Sequence, residues 1–308
     1  MESLPKNCIL EFNSDTLTFL RKQYDLDKPG RIEEAISVLQ EWISKQPHFL
    51  RKDFRKDYLE RTIIISKGSV EKAKKKLDRI CTLRTVCPDF FGVHNVHKFE
   101  LLNDLGVFLP KITNDHYRVF VMKNGGKKYP NGFIDFYRYL FMQFEYIQAY
   151  DYCNGLTLLV DYTEANIMEI VKCLNPVDMK TAVTTIMEGY GMRIKGLHLL
   201  SGSKAIEAIV ILIKQVLSQK LIGRIQVHKS IDSVYDYIPK DMLPVEYGGK
   251  EKSLLQLHEE CKNTLTTNEF SNYLREMNKA RTDESLRQGD NNHEYMGTQG
   301  TFRTLNVD

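Results

Sequence analysis

The chain has 308 residues, of which 42% are hydrophobic and 27% are charged, so it is long enough to bury one large core or two ordinary ones. Its net charge of +3 is too small to make nucleic acid the expected partner. Apolar stretches such as 208–213 are much shorter than the ~20 residues that cross a bilayer. Any contact with a membrane is therefore expected to be reversible.

The cysteines and the N-terminus indicate the cellular compartment. The six cysteines lack CxxC spacing, and the segment 1–6 lacks the charged start and apolar run of a signal peptide. His94 and His97 with Cys81 and Cys87 match no zinc-finger spacing. We therefore expect a cytoplasmic protein with reduced thiols and without a metal or cofactor.

The first quarter of the chain has the apolar spacing of helices. In the first helix, apolar residues recur every three or four positions: Ile32, Ala35, Ile36, Leu39 and Ile43. A second helix is predicted over 53–65, and a third from Ser69, a candidate N-cap, towards Leu83, with Cys87-Pro88-Asp89 ending the pattern. We expect a helical domain over residues 1–91.

The pattern then changes to strands that alternate with helices. Strands are predicted over 117–123, 156–161, 192–200 and 224–227, and helices over 135–150, after Asn175-Pro176, over 203–219 and over 231–237. This alternation is typical of a mixed α/β domain with a largely parallel sheet, here residues 92–253. The remaining 254–308 should contain one amphipathic helix, 254–273, and a loose polar stretch, 281–293.

The motifs of common enzymes are incomplete in this chain. The run 125–128 follows a strand but lacks the first glycine and the final hydroxyl residue of a phosphate loop. The run 201–204 lacks the GxSxG of a nucleophile elbow, and Ser203 is better explained as a helix N-cap. His198, within an apolar strand, is expected to be a core histidine bonded to backbone. We therefore expect a protein that is not an enzyme.

Two features stand out in the second half. The segment 205–214 is apolar almost all the way round a helix. Its periodicity favours burial on every side but leaves open a movable lid over an apolar cavity. Arg193, Lys195, Lys220 and Arg224 flank this segment, and such basic pairs either are solvated or attract anionic headgroups.

Several blocks of the sequence carry a family pattern. Residues 188–200 contain Arg-Ile-Lys-Gly-Leu-His, 212–225 contain Ile-Lys followed by Lys220 and Arg224, and 243–249 read Leu-Pro-Val-Glu-Tyr-Gly-Gly. An Asn-Gly pair precedes the strand that ends at Asp161. Together these blocks resemble the CRAL-TRIO family of lipid-transfer proteins, in the branch of the alpha-tocopherol transfer and cellular retinaldehyde-binding proteins. Residues 296–305 are similar to a C-terminal motif of insect members.

The resemblance implies a helical N-terminal domain, then a CRAL-TRIO domain whose sheet floor and helices enclose a hydrophobic cavity under a helical lid. It implies ligand contacts from the lid by Ile206, Ile209, Val210, Ile213 and Leu217, and from floor and wall by Leu158, Val160, Ile186, Tyr190, Ile194 and Leu197. It also implies that Arg193, Lys195, Lys220 and Arg224 bind phosphoinositide headgroups. Tyr139 and Gln143, four apart on a helix, are our candidates for hydrogen bonds to a polar ligand end, with Tyr190 as the alternative.

Three departures bear on this interpretation. Gln215 and Gly191 replace family prolines, and the arginine-rich stretch corresponds to 61–67, where only the first and last basic positions are kept. The predicted function is a monomeric intracellular carrier of a retinoid, tocopherol, carotenoid or similar lipid, exchanging its ligand at anionic membranes. The alternative is a phosphoinositide-binding adaptor or regulator without a transported neutral lipid.

Overall fold

The computed structural model describes residues 4, 6–99, 105–125 and 132–288. Three sequence features lie wholly or partly outside these residues: the C-terminal similarity at 296–305, residues 126–128 of the glycine and lysine run, and residues 289–293 of the predicted loose stretch.

Four helices form the N-terminal region: α1 (Thr16–Gln23), α2 (Arg31–Ser44), α3 (Lys56–Ile65) and α4 (Val70–Val86). The apolar residues predicted for one face of α2 are all buried. Ser69 caps α4 as predicted, because its side chain accepts a hydrogen bond from the backbone N–H of Lys72 at 3.3 Å. Helix α3 is buried from Tyr58 to Ile65, so it lies at the centre of this region.

The sheet has five strands in sequence order: β1 (Leu105–Ile112), β2 (Tyr117–Lys123), β3 (Gly155–Asp161), β4 (Ile194–Leu200) and β5 (Ile225–His228). Strand β1 is antiparallel to β2, and the other pairs are parallel. The predicted mixed α/β class is therefore confirmed. The sequence did not predict β1, whose Pro110 is tolerated because β1 is an edge strand.

Five helices accompany the sheet: α5 (Ile134–Tyr150), α6 (Ile167–Cys173), α7 (Pro176–Thr184), α8 (Ile206–Val216) and α9 (Gln219–Ile222). The prediction of one helix over 203–219 is wrong at both ends. The Ser203 hydroxyl accepts from the N–H of Ala205 at 3.2 Å in a turn before α8, so Ser203 is not the N-cap. Leu217 is extended and separates α8 from α9. The predicted helix over 231–237 is a 3₁₀ turn, Ile231–Val234.

The described C-terminal part, 254–288, holds two α-helices, α10 (Leu254–Leu265) and α11 (Asn268–Met277). The prediction of a single helix is wrong because Thr267 caps α11, its hydroxyl accepting from the N–H of Phe270 at 3.3 Å. Helix α10 packs against the edge strand β1. Beyond α11, Thr282 forms an antiparallel bridge with Phe49, so this part of the chain returns to the N-terminal helices.

A buried ion pair joins α4 to α5. The Arg84 Nη2 atom donates to Glu145 Oε1 at 2.6 Å, and the Tyr190 hydroxyl donates to the same oxygen at 2.8 Å. Both side chains of the pair are almost fully buried. Within the described residues, Arg84 Nη1 and Glu145 Oε2 have no hydrogen-bond partner. The N-terminal helices and α5 are therefore linked through charges that water does not screen.

Three buried histidines, His198, His228 and His258, lie in the described second half of the chain. The Tyr139 hydroxyl is 3.3 Å from His258 Nδ1 at the contact of α5 with α10. His198 lies 3.0 Å from the side chain of His228 rather than bonding to backbone as predicted. Burial lowers the pKa of His258 to about 4, and burial with the neighbouring His228 lowers the pKa of His198 to about 4.

Acidification is expected to destabilise the fold through these two groups. Since an unfolded histidine has a pKa of about 6.5, the unfolded chain binds more protons between about pH 6.5 and 4. Stability is then complete above this window and falls as the pH drops, by about 2–3 kcal/mol for each group. Urea unfolding at pH 7 and pH 4.5 measures this loss. Between pH 7 and pH 4.5, the free energy of unfolding of the variant His258→Gln should fall less than that of the parent. An equal fall in both proteins would show that His258 does not contribute to the pH dependence.

Candidate functional site

The two faces of the sheet differ in how completely their side chains are covered. In the central strand β3, Leu159 and Asp161 on one face are buried, whereas Leu158 and Val160 on the other face are only partly buried. In β4, Leu197 is partly buried as well. Because β3 has a neighbour on either side, this exposure comes from space above the face and not from a sheet edge.

Aromatic residues border this less covered face. By strand register, Phe120 lies beside Leu158, and Leu158 lies beside Leu197. The ring of Phe120 contacts Phe108 at 4.9 Å between centroids, and Phe108 contacts Phe144 of α5 at 5.3 Å. Helix α5 therefore lies on the side of the sheet to which Leu158, Val160 and Leu197 point.

Helix α8 is covered on one side. Ile209 is 1% exposed and Ile206 is also buried, while Val210 and Ile213 on the same helical face are partly buried. Ile211, on the opposite face, is 59% exposed. The expectation of burial on every side is wrong. The residues that the resemblance assigns to the lid, including the partly buried Leu217 after the helix, lie on or beside the covered side.

Three neighbouring helices expose apolar side chains. Helix α8 packs against both α6 and α7. Met168 of α6 is 51% exposed and Val177 of α7 is 61% exposed, so with Ile211 each of the three helices presents an apolar residue to solvent. We call Met168, Val177 and Ile211 the apolar rim. Among the described residues, no helix is long and apolar enough to cross a membrane.

The polar candidates for ligand binding make contacts within the protein. The Tyr139 hydroxyl faces His258, and the Tyr190 hydroxyl bonds to Glu145. Gln143 Nε2 donates to the carbonyl of Gly106 at 3.2 Å, and its Oε1 is buried without a partner within the described residues. These contacts do not support a ligand role for Tyr139 and Tyr190, and the assignment stays a prediction.

The other predicted wall residues differ in exposure. Ile194, at the start of β4, is buried, and Ile186 lies partly buried in a π-helical turn, Thr185–Gly189, that continues α7. The turn packs against α4. The predicted wall is thus divided between the sheet and the helical layer beside it.

Basic side chains from three parts of the chain lie close together. Arg193 lowers the pKa of Lys67 most, followed by desolvation and by the charges of Lys220, Lys72 and Arg224. Lys76 belongs to the same group, because Arg193, Lys72 and Lys67 lower its pKa beyond the effect of burial. We call this set the basic cluster: Lys67, Lys72, Lys76, Arg193, Lys220 and Arg224. The sequence missed the lysines of α4, whose four-residue spacing puts them on one helical face.

The members of the predicted basic set have different partners. Arg193 lies one residue before β4 and donates to the Asn154 side chain at 2.5 Å. Arg224 donates to the carbonyl of Ile194. Lys195 is outside the basic cluster, since its ammonium bonds to Asp115 at 2.5 Å. Lys220 is exposed and makes no hydrogen bond in the described ranges.

Comparison with known proteins agrees with this architecture. Residues 102–249 match the CRAL/TRIO domain, and residues 28–101 match the Pinta-like UBA domain. Residues 102–249 therefore form a CRAL-TRIO domain, as the sequence blocks predicted, and the family of proteins with this domain binds and transfers lipophilic ligands or phosphoinositides.

Individual relatives are similar over shorter segments. The alpha-tocopherol transfer protein-like protein of Mus musculus is 29% identical over 97 residues, 31% of this chain and 28% of that protein. Clavesin-1 of Xenopus laevis is 27% identical over 122 residues, 39% of this chain and 36% of that protein. The matched segments thus span only about a third of these relatives. The crystal structure of Sfh5 aligns over 87% of this chain and 98% of that one, with a TM-score of 0.43 and 16% identity.

Proposed function

We propose that the protein carries a hydrophobic small molecule, such as a retinoid, tocopherol, carotenoid or similar lipid, between α8 and the sheet. The observation that supports this most is the partial exposure of Leu158, Val160 and Leu197 in the middle of the sheet. An isoprenoid or acyl chain placed there gains about 25 cal/mol for each Å² removed from water. An apolar ligand would cover the parts of these three side chains that the protein itself leaves exposed.

Retention and release require α8 to move. The helix is bounded by non-helical residues at both ends, the exposed Gly202 to Lys204 and the extended Leu217. These two points can act as hinges while the sheet stays fixed. Closing brings Ile206, Ile209, Val210 and Ile213 onto the ligand, and opening exposes them. An open lid is therefore tolerated best where another apolar phase is present.

The surface beside the lid fits an anionic membrane. The apolar rim offers side chains for the acyl region, and the basic cluster offers charges for headgroups, each worth about 1 kcal/mol near such a surface. Lys220 lies in α9 and Arg224 lies two residues after it, so these charges and the proposed lid share one part of the chain. Docking through both surfaces would couple membrane contact to opening and ligand exchange.

Reversing two charges of the basic cluster is expected to remove most membrane binding. The side chains of Lys67 and Lys220 are exposed and make no hydrogen bond or ion pair within the described part of the chain, so Lys67→Glu with Lys220→Glu should leave the fold intact. Each substitution changes the charge by two units, so the double variant should weaken docking by about 4 kcal/mol. Co-sedimentation with phosphoinositide-containing vesicles measures it, beside ligand titration in solution. A matched control is Lys28→Glu with Lys229→Glu, and equal losses in the two double variants would refute a localised docking site.

The cluster also favours a second candidate, a phosphoinositide-binding adaptor that transports no neutral lipid. Native extraction of the purified protein followed by mass spectrometry separates the two. A carrier should return one neutral lipid in stoichiometric amount. A protein that binds phosphoinositide vesicles but returns no neutral lipid would overturn the proposal and establish the adaptor.

A further inference from the structure

A cavity lies away from the sheet. It has a volume of about 610 Å³ and is lined by the N-terminal residues 6–8, by α3 and α5, and by the turn between α10 and α11. The volume is in the range of sites for small ligands, about 300–1,000 Å³. No residue of the five strands or of α8 lines it, so it is separate from the proposed lipid site.

One wall of this cavity is aromatic. The rings of Tyr146 and Tyr150 of α5 lie 4.7 Å apart between centroids, and Tyr146 meets Phe270 of α11 at 5.1 Å. The Tyr146 hydroxyl donates to Asn7 Oδ1 at 2.9 Å and lies 3.4 Å from Cys8 Sγ. The N-terminal segment is thereby fixed beside the aromatic wall, which offers a flat apolar surface.

The lining contributed by α3 and its N-cap has more cations than the carboxylate between them can balance. Arg55 and Arg61 both donate to Asp57, so two guanidinium groups share one carboxylate. Burial acts to raise the pKa of Asp57, but hydrogen bonds from Arg55 and Arg61 and the charge of Arg61 hold it at about 2. Asp57 is therefore fully ionised at neutral pH and still leaves one positive charge in excess. Lys6, also in the lining, makes no ion pair in the described ranges.

Arg61 has an unused donor. The residue is 6% exposed. Its Nε donates to the carbonyl of Gln148 at 2.9 Å, and its Nη2 donates to Asp57 at 3.0 Å. Its Nη1 has no hydrogen bond to any residue that the structure describes. A buried guanidinium that lines a cavity with a donor to spare is suited to an anionic group. The opposing charge is Glu269, an exposed residue at the start of α11.

We propose that this cavity is a second binding site, for a small amphiphilic anion that carries a carboxylate or a phosphate on a flat, mainly apolar body. The anionic group lies between Arg61 Nη1, Arg55 and Lys6, and the body lies on Tyr150 and Phe270. Because the cavity is formed jointly by the N-terminal segment, the helical region and the C-terminal helices, an occupant would bind these parts of the chain to one another.

The test uses 2-naphthoate and 1-naphthyl phosphate as probes, with neutral 2-naphthalenemethanol for comparison, in calorimetric titrations of the full chain. At least one anion should bind about fivefold or more tightly than the alcohol, and which of them binds identifies the headgroup. Equal binding of the alcohol, or no binding by either anion, would overturn the proposal.

Surface variants locate the site without disturbing the core. Lys6→Glu should weaken binding of the anion about fivefold, and Glu269→Lys should strengthen it by a similar factor. The control Lys229→Glu should have no effect, and a loss equal to that of Lys6→Glu would mean general attraction only. Val210→Asp, aimed at the lipid site, should leave probe binding unchanged. Loss of probe binding in that variant would show that the probe occupies the proposed lipid site, and it would refute this one.

Discussion

Val210→Asp is expected to reduce ligand retention on the order of 100-fold or more. The side chain lies on the covered face of α8, and a carboxylate there must lose its water whenever the lid closes over an apolar ligand. Burying an unpaired charge costs several kcal/mol, even if the group takes up a proton instead. Ile209→Asp should act in the same direction with a larger cost in stability, because Ile209 is almost fully buried. Lipid extraction of the purified variants measures the loss.

The neighbouring residue gives a matched control. Ile211→Asp puts the same charge on the same helix but on the solvent side. In the absence of vesicles, this variant should retain its ligand as the parent does. It should bind vesicles more weakly, since Ile211 belongs to the apolar rim. If Ile211→Asp and Val210→Asp lose ligand equally, the helix responds to charge as a whole and the lid assignment is wrong.

Removing one partner of the Arg84 and Glu145 pair is expected to be among the most destabilising single changes. Glu145→Leu leaves the buried guanidinium without its counter-charge and the Tyr190 hydroxyl without its acceptor. The expected loss is about 3–5 kcal/mol in the free energy of unfolding, measured by urea titration.

The double variant Arg84→Met with Glu145→Leu separates the charge from the packing. Replacing both partners by apolar residues leaves no unpaired charge and is often nearly neutral, so stability should recover by most of the loss. A double variant that is as unstable as Glu145→Leu would mean that volume, and not charge, limits stability at this position.

The fold was predictable where local signals agree with the tertiary structure. The spacing of apolar residues in α2 and the Ser69 cap predicted helices that are observed. The missed strand β1 contains Pro110, and the division between α10 and α11 depends on a single threonine cap at Thr267. Such features change the local pattern little, although each changes the path of the chain.

The site was less predictable because it depends on residues distant in sequence. Lys67 and Lys72 come close to Arg193 because α4 packs against the turn Thr185–Gly189, a few residues before β4. Lys195 was expected in the same set, but the residue opposite it is Asp115, which no spacing within its own strand reveals. The one-sided cover of α8 likewise depends on its neighbours, since its sequence is apolar on nearly all sides.

The contacts between the last described residues and the N-terminal helices have a consequence for folding during translation. Thr282 pairs with Phe49, and Arg287 bonds to Asp78 of α4 at 2.7 Å. Ribosomes synthesise the N-terminal helices more than two hundred residues before these partners. During translation, the surface of the N-terminal helices that residues 281–287 cover therefore stays exposed until those residues emerge. A chaperone that shields this surface would protect the nascent chain in the meantime.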